Sequence, residues 1–133
     1  MGHAFGLRVY YEDTDLAGVV YYANYLKFIE RARTEWVRAL GVDQVRLRAE
    51  AGLVFAVRRV AAEYLRPARF DDELRVETVV LALTGARIVV QQDIFRGVEK
   101  LFAAQVVVVC LTEGGTLARL PVAVRARLAP AHP

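Results

Sequence analysis

Apolar and polar positions along this chain change rhythm several times, and each rhythm predicts an element. Residues 7–11 are rich in Val and Tyr and read as a first strand. Residues 12–18 break that pattern and form a loop. Tyr25, Phe28, Ile29, Ala32, Trp36 and Leu40 then recur at three- and four-residue spacing. That period predicts an amphipathic helix beginning at 22 or 24 and ending at 40. Lys27, Arg31, Arg33, Thr34, Glu35 and Arg38 fill the remaining arc, and Ala32 lets a sheet approach closely. Gly41 is placed to close the helix. A second short helix is expected over 43–51, closed by Gly52.

The rest reads as strands. Residues 54–64 come first, followed by a break at Pro67 and a turn at Asp71-Asp72. Residues 74–83, 87–95 and 100–112 follow, separated by turns at Thr84-Gly85 and Gly97. Glu113-Gly114-Gly115 is a further turn, and 121–128 can form a terminal helix. Short connections make an antiparallel meander. A sheet with one apolar face needs a cover, and the long striped helix supplies it. The expected class is α+β: a curved antiparallel sheet wrapped around one central helix. Residues 1–133 read as a single domain, with no internal repeat or linker.

Composition adds an interface. The hydrophobic fraction of this 133-residue chain is 56%, which a domain of this size does not hide alone. A homo-oligomer is expected, with the nearly continuous apolar strand at 102–111 offering one face to the helix and one to a second copy. No apolar run approaches the roughly 18 residues of a spanning helix. No signal peptide is visible, and one cysteine cannot form an internal disulfide. These features fit the cytoplasm. The net charge is only +3, without a basic run or an RNA-binding aromatic signature. Nucleic acid is therefore not the expected partner.

The missing residue types narrow the chemistry. There is no serine, and the two histidines are His3 and His132, near the ends. A Ser-His-Asp triad is impossible, and zinc sites built from several His and Cys are excluded by count. A hydrolase of this composition must rely on a carboxylate. The stretch from Tyr10 to Tyr25 supplies candidates: Glu12, Asp13 and Asp15 precede Gly18 and the long helix. A carboxylate can act as base or nucleophile, while free N–H groups at a helix start can hold an oxyanion.

Asp15 also has a structural reading, since Asp bonds nearby N–H groups in turns. Asp13 suits turn or cap duty, and Glu12 suits a solvated strand end. Asp13, Asp15 and Gly18 fit three positions of a calcium loop, but Ala17 and Asn24 occupy two ligand positions, so a metal is not expected. Asn24 can cap the helix, which leaves the register of the oxyanion donor open between Tyr22 and Asn24. Cys110, Trp36 and Phe28 read as core. Arg58-Arg59 interrupts an apolar strand, so one arginine faces the less polar side or a bulge intervenes. Glu63, a carboxylate across an interface or a ligand phosphate could each be its partner.

The stretch Tyr-Tyr-Glu-Asp-Thr-Asp followed by Ala-Gly-Val-Val-Tyr-Tyr-Ala-Asn-Tyr, with Glu30-Arg31-Ala32-Arg33-Thr34-Glu35 in the helix, resembles the hotdog-fold acyl-CoA thioesterases. The nearest type is the thioesterase associated with the Tol–Pal envelope system, and the 4-hydroxybenzoyl-CoA thioesterases are more distant. The resemblance implies a hotdog fold, acyl-CoA substrates, a cytoplasmic location and dimers or tetramers, with no cofactor. It implies that Asp15 is catalytic and that the Tyr22 N–H polarises the thioester carbonyl. Tol–Pal-type members often carry His at the Tyr22 position, and benzoyl-type enzymes carry Tyr. Glu30 aligns with an acidic residue that meets the substrate ring in the benzoyl type. The basic cluster which that type uses for phosphates aligns with Thr84-Gly85-Ala86, leaving Arg58 and Arg59 as candidates for that role. The alternative to an enzyme is a non-catalytic acyl-CoA binding or envelope-system scaffolding module. Hydration or dehydration on the same fold would typically want a His-containing site, and no central His exists.

Overall fold

The computed structural model describes residues 2–129, so His132 lies outside the described residues. Five strands form one antiparallel sheet: β1 (His3–Arg8), β2 (Leu53–Tyr64), β3 (Glu73–Leu83), β4 (Arg87–Arg96) and β5 (Glu99–Thr112). Their order across the sheet is β1-β3-β4-β5-β2. The short links between β3, β4 and β5 produce the expected meander. β1 and β2 become its two outer strands, pairing with β3 and β5.

The long helix α1 (Asn24–Ala39) buries Tyr25, Phe28, Ile29, Ala32, Trp36 and Val37. These residues join Leu74, Val76, Ile88, Val90, Leu101, Phe102, Ala104 and Val106 in one core. Ala32 is fully buried, as a close helix–sheet approach requires. A second helix, α2 (Gln44–Ala51), begins where the Asp43 carboxylate accepts from the Arg46 N–H. It ends at Gly52, whose φ of 67° lies in the left-handed region that favours glycine. The last helix, α3 (Val122–Leu128), seals Leu128 into the core.

The largest boundary difference concerns the first strand, expected at 7–11 and found at His3–Arg8. Val9 still exchanges backbone bonds with Asp71 and Asp72, but the chain then tightens into a 3-10 turn over Tyr11–Asp13. Glu12 thus lies in a turn rather than at a strand end. The face of the sheet away from α1 carries polar pairs, including Arg75 with Glu77, Gln91 with Asp93, and Lys100 with Asp93. Exposed apolar side chains occur on β2, where Val57 and Val60 remain 47% and 38% accessible, and at Val79 and Leu81 on β3.

Candidate active site

The acidic segment folds as a miniature hairpin. Thr14 bridges Val20, the Asp15 N–H donates to the Val19 carbonyl, and the Gly18 N–H donates to the Asp15 carbonyl. Gly18, with φ of 81°, supplies the left-handed residue that closes the turn. Asp15 Oδ1 accepts from the Ala17 N–H at 2.9 Å. The turn reading of Asp15 is therefore physically real. It uses one carboxylate oxygen, and Oδ2 has no hydrogen-bond partner among the described residues. Asp13 has a different duty: Oδ2 accepts from the Tyr10 N–H at 2.8 Å and braces the preceding turn.

This hairpin is fastened to the helix entrance. The Asp13 carbonyl accepts from the Tyr21 N–H and from Asn24 Nδ2, both at 2.9 Å. Asn24 is consequently not the cap. It is the first helical residue, and its side chain ties the helix to the acidic turn. Ala23 occupies the cap position without a side-chain cap bond. The Asn24 N–H is taken by the Tyr21 carbonyl, and the Leu26 N–H by the Ala23 carbonyl. The Tyr22 N–H has no backbone acceptor among the described residues. This open donor lies in the turn one residue before the cap of a 16-residue helix, where the helix dipole still favours a developing negative charge.

Aromatic rings brace the entrance from below. Tyr25 stacks on Phe102 with centroids 5.2 Å apart, and its hydroxyl accepts from the buried Ala68 N–H. The Ala68 carbonyl accepts from the Val20 N–H, so one residue of the β2–β3 loop holds both the hairpin and the helix. Burial is the main cause that raises the Tyr25 phenol above its ordinary value; the Asp72 and Asp15 carboxylates add to it.

Glu30 lies farther along α1 and accepts from the Thr34 hydroxyl at 3.1 Å. With Arg33, Phe55, Val57 and Val108 it lines a cavity of about 180 Å³ between α1 and the sheet. Arg33 donates to Gln92 Oε1, while the buried Gln92 amide donates to the Ile29 carbonyl and to the Thr78 hydroxyl. Burial lowers the Arg33 guanidinium from its ordinary value, against the pull of Glu30. This network was not anticipated from sequence. Its signal was Gln92 standing among Ile88, Val90 and Ile94 on the inward positions of β4.

The Arg58-Arg59 doublet resolves into a bulge: the β2–β5 register shifts between Val57 and Arg59 and leaves Arg58 unpaired in the ladder. Both side chains are exposed, and neither has an ion-pair partner among the described residues. The structure thus brings Asp15 and Tyr22 to one hairpin–helix junction. Glu30 sits beyond it on the same helix, and Arg58 and Arg59 sit on the free outer strand. Cys110 is fully buried, and burial raises its thiol, which leaves it an inert core residue.

An antiparallel sheet laid over one long helix, with a carboxylate turn feeding the helix start, is the hotdog architecture of thioester hydrolases. Residues 17–103 match the family model described as the thioesterase superfamily, and the chain belongs to that family. The matched span takes in the helix entrance and most of the sheet, and Asp15 lies two residues before it. Among relatives, the chain is 47% identical over 113 residues to the acyl-CoA thioesterase YbgC of Haemophilus influenzae, covering 85% of this chain and 83% of that protein. A probable thioesterase from Bartonella henselae superposes with a TM-score of 0.88 at 40% identity, over 91% of this chain and 100% of that one. A 4-hydroxybenzoyl CoA thioesterase variant in complex with 4-hydroxybenzoyl CoA shares the fold, with a TM-score of 0.89 at 19% identity over 96% and 99% of the two chains.

Proposed function

We propose that this chain, as one domain over residues 1–133, hydrolyses an acyl-CoA thioester to the free acid and CoA. The supporting observation is the junction itself: a carboxylate with one uncommitted oxygen lies on a hairpin tied to a helix start whose Tyr22 N–H is open. The thioester carbonyl oxygen accepts from that N–H, and the helix dipole favours the charge that grows there. In one route Asp15 takes a proton from water as the water oxygen bonds the acyl carbon. The C–S bond then breaks, and the proton passes to the departing thiolate. In the other, Asp15 itself attacks, expels the thiolate and forms a mixed anhydride, which water then cleaves.

Glu30, at the cavity beside Arg33 and Phe55, meets the acyl group. Arg58 and Arg59, without acidic partners among the described residues, meet the CoA phosphates. The outer edge of β2 supports a homodimer or homotetramer. Among the described residues it runs for 12 residues without a strand partner, and it exposes Val57 and Val60. A cytoplasmic placement and an envelope-system partner rest on the likeness of the Tyr10–Tyr25 stretch. No helix among the described residues is long and apolar enough to cross a membrane.

The test is Asp15→Asn, which keeps the acceptor for the Ala17 N–H and removes the base. Turnover of acyl-CoA substrates, measured as released thiol, is expected to fall about 10²–10⁴-fold. Hydrolysis at the wild-type rate would refute the mechanism. Single-turnover reaction in oxygen-18 water separates the routes, because label entering the Asp15 side chain marks the anhydride.

A further inference from the structure

The helix entrance contains a carbonyl whose partner is a side chain at the far end of β2. In a regular helix the Tyr22 carbonyl would accept from the Leu26 N–H, four residues on. Here the Leu26 N–H donates to the Ala23 carbonyl instead, at 3.2 Å. The tighter first turn leaves the Tyr22 carbonyl without a helical donor. The Tyr64 hydroxyl donates to it at 2.9 Å, from the last residue of β2.

That hydroxyl is held firmly. The Tyr64 ring packs edge-on against Tyr25 and Phe102, with centroids 5.4 and 5.1 Å apart, and against Tyr22 at 6.2 Å. Tyr25 and Phe102 are core residues, so the ring that carries the donor is anchored to the sheet. On the other side, the peptide group that carries the Tyr22 N–H is fixed through the Tyr21 carbonyl, which accepts from the Asn24 N–H at 2.8 Å. Tyr22 is thus clamped through the peptide groups on both sides, while its own N–H stays open. Because Tyr22 is 62% exposed, water could satisfy its carbonyl in the absence of Tyr64. Solvent would supply the hydrogen bond without fixing a direction, so this bond contributes orientation more than stability.

We propose that Tyr64 is a positioning residue that aims the Tyr22 N–H at the developing oxyanion. The inference rests on the hydrolytic reading of the Tyr22 junction given above. It assigns a function to the end of β2 that ring packing alone does not supply.

Tyr64→Phe separates the two roles, because it keeps the ring contacts and removes only the hydroxyl. The expected result is a fall in kcat of about ten-fold, within the range that small misplacements of a reacting group produce. KM for the same acyl-CoA should change less than two-fold, and the thermal midpoint should stay within a few degrees. Tyr64→Leu, which also deletes the ring, should lower the thermal midpoint as well. A second readout needs no substrate: the NMR order parameter of the Tyr22 amide is expected to fall in Tyr64→Phe from the rigid level of about 0.85 toward 0.6. A Tyr64→Phe enzyme with kcat within two-fold of wild type overturns the proposal. If neither protein hydrolyses any acyl-CoA, the hydrolytic reading fails, and an unchanged Tyr22 order parameter then overturns the positioning role independently.

Discussion

At the entrance of α1, Tyr21 and Tyr22 stand in solvent, and the chain is held by hydrogen bonds to the Asp13 and Ala68 carbonyls and from the Tyr64 hydroxyl. Two turns farther on, Phe28, Ile29 and Ala32 are sealed between helix and sheet. The same helix is directional at its start and hydrophobic in its middle. Apolar packing is strong but indifferent to a few degrees of rotation, so it can carry stability without aiming a donor. Hydrogen bonds contribute little net stability each, yet they fix direction. Substitutions at the entrance should therefore act on rate, and those in the middle on stability.

Phe28→Ala should strike the middle hardest. Removing a fully buried ring costs about 3–5 kcal/mol, measured as a shift in the urea midpoint at constant slope. The Asp15→Asn chain should by contrast keep nearly the wild-type midpoint while losing turnover. If Asp15→Asn destabilises as much as Phe28→Ala, the division between the two regions is wrong. Gln92→Leu comes next. It leaves Arg33, Thr78 and the Ile29 carbonyl without their shared amide, and should cost about 1–3 kcal/mol by the same measurement.

The smallest effect concerns pH. Burial holds the phenols of Tyr25 and Tyr64 above 10.0, the ordinary value. The unfolded chain then releases these protons at lower pH than the native one, so it binds fewer of them above that value. Stability is full below about pH 10 and declines as pH rises further. A thermal midpoint that falls in alkali for wild type, and falls less in Tyr25→Phe, would sharpen the picture.

Most of the element pattern was legible because periodicity records burial. The stripe from Tyr25 to Trp36, the alternation in β3 and β4, and the glycines at 41 and 52 each have one simple structural solution. The doublet Arg58-Arg59 marked an irregularity for the same reason, since two adjacent charges cannot both satisfy an alternating strand, but sequence left an inward arginine and a bulge as equal solutions, and the fold shows the bulge. Asp15 stood out by elimination as much as by pattern. The helix register was not legible. Asn24 has the chemistry of a cap, and only the folded hairpin shows its amide turned to the Asp13 carbonyl instead. Nor could sequence place Tyr64 over Tyr22, because their separation of 42 residues is closed by the β2–β5 ladder and the core beneath it.

The unpaired outer edge of β2 has a thermodynamic consequence. In the assembly proposed above, each copy is a ligand for the other, and folding is linked to association by mass action. The melting temperature then becomes a property of protein concentration, with each tenfold dilution removing up to about 1.4 kcal/mol until separate copies dominate. The bulge at Arg58 interrupts the ladder and restricts which strand registers a second copy can adopt. An edge that long, left alone in dilute solution or during synthesis, is also a template for any other strand. The speed with which two copies find each other is then part of what keeps the chain from aggregating.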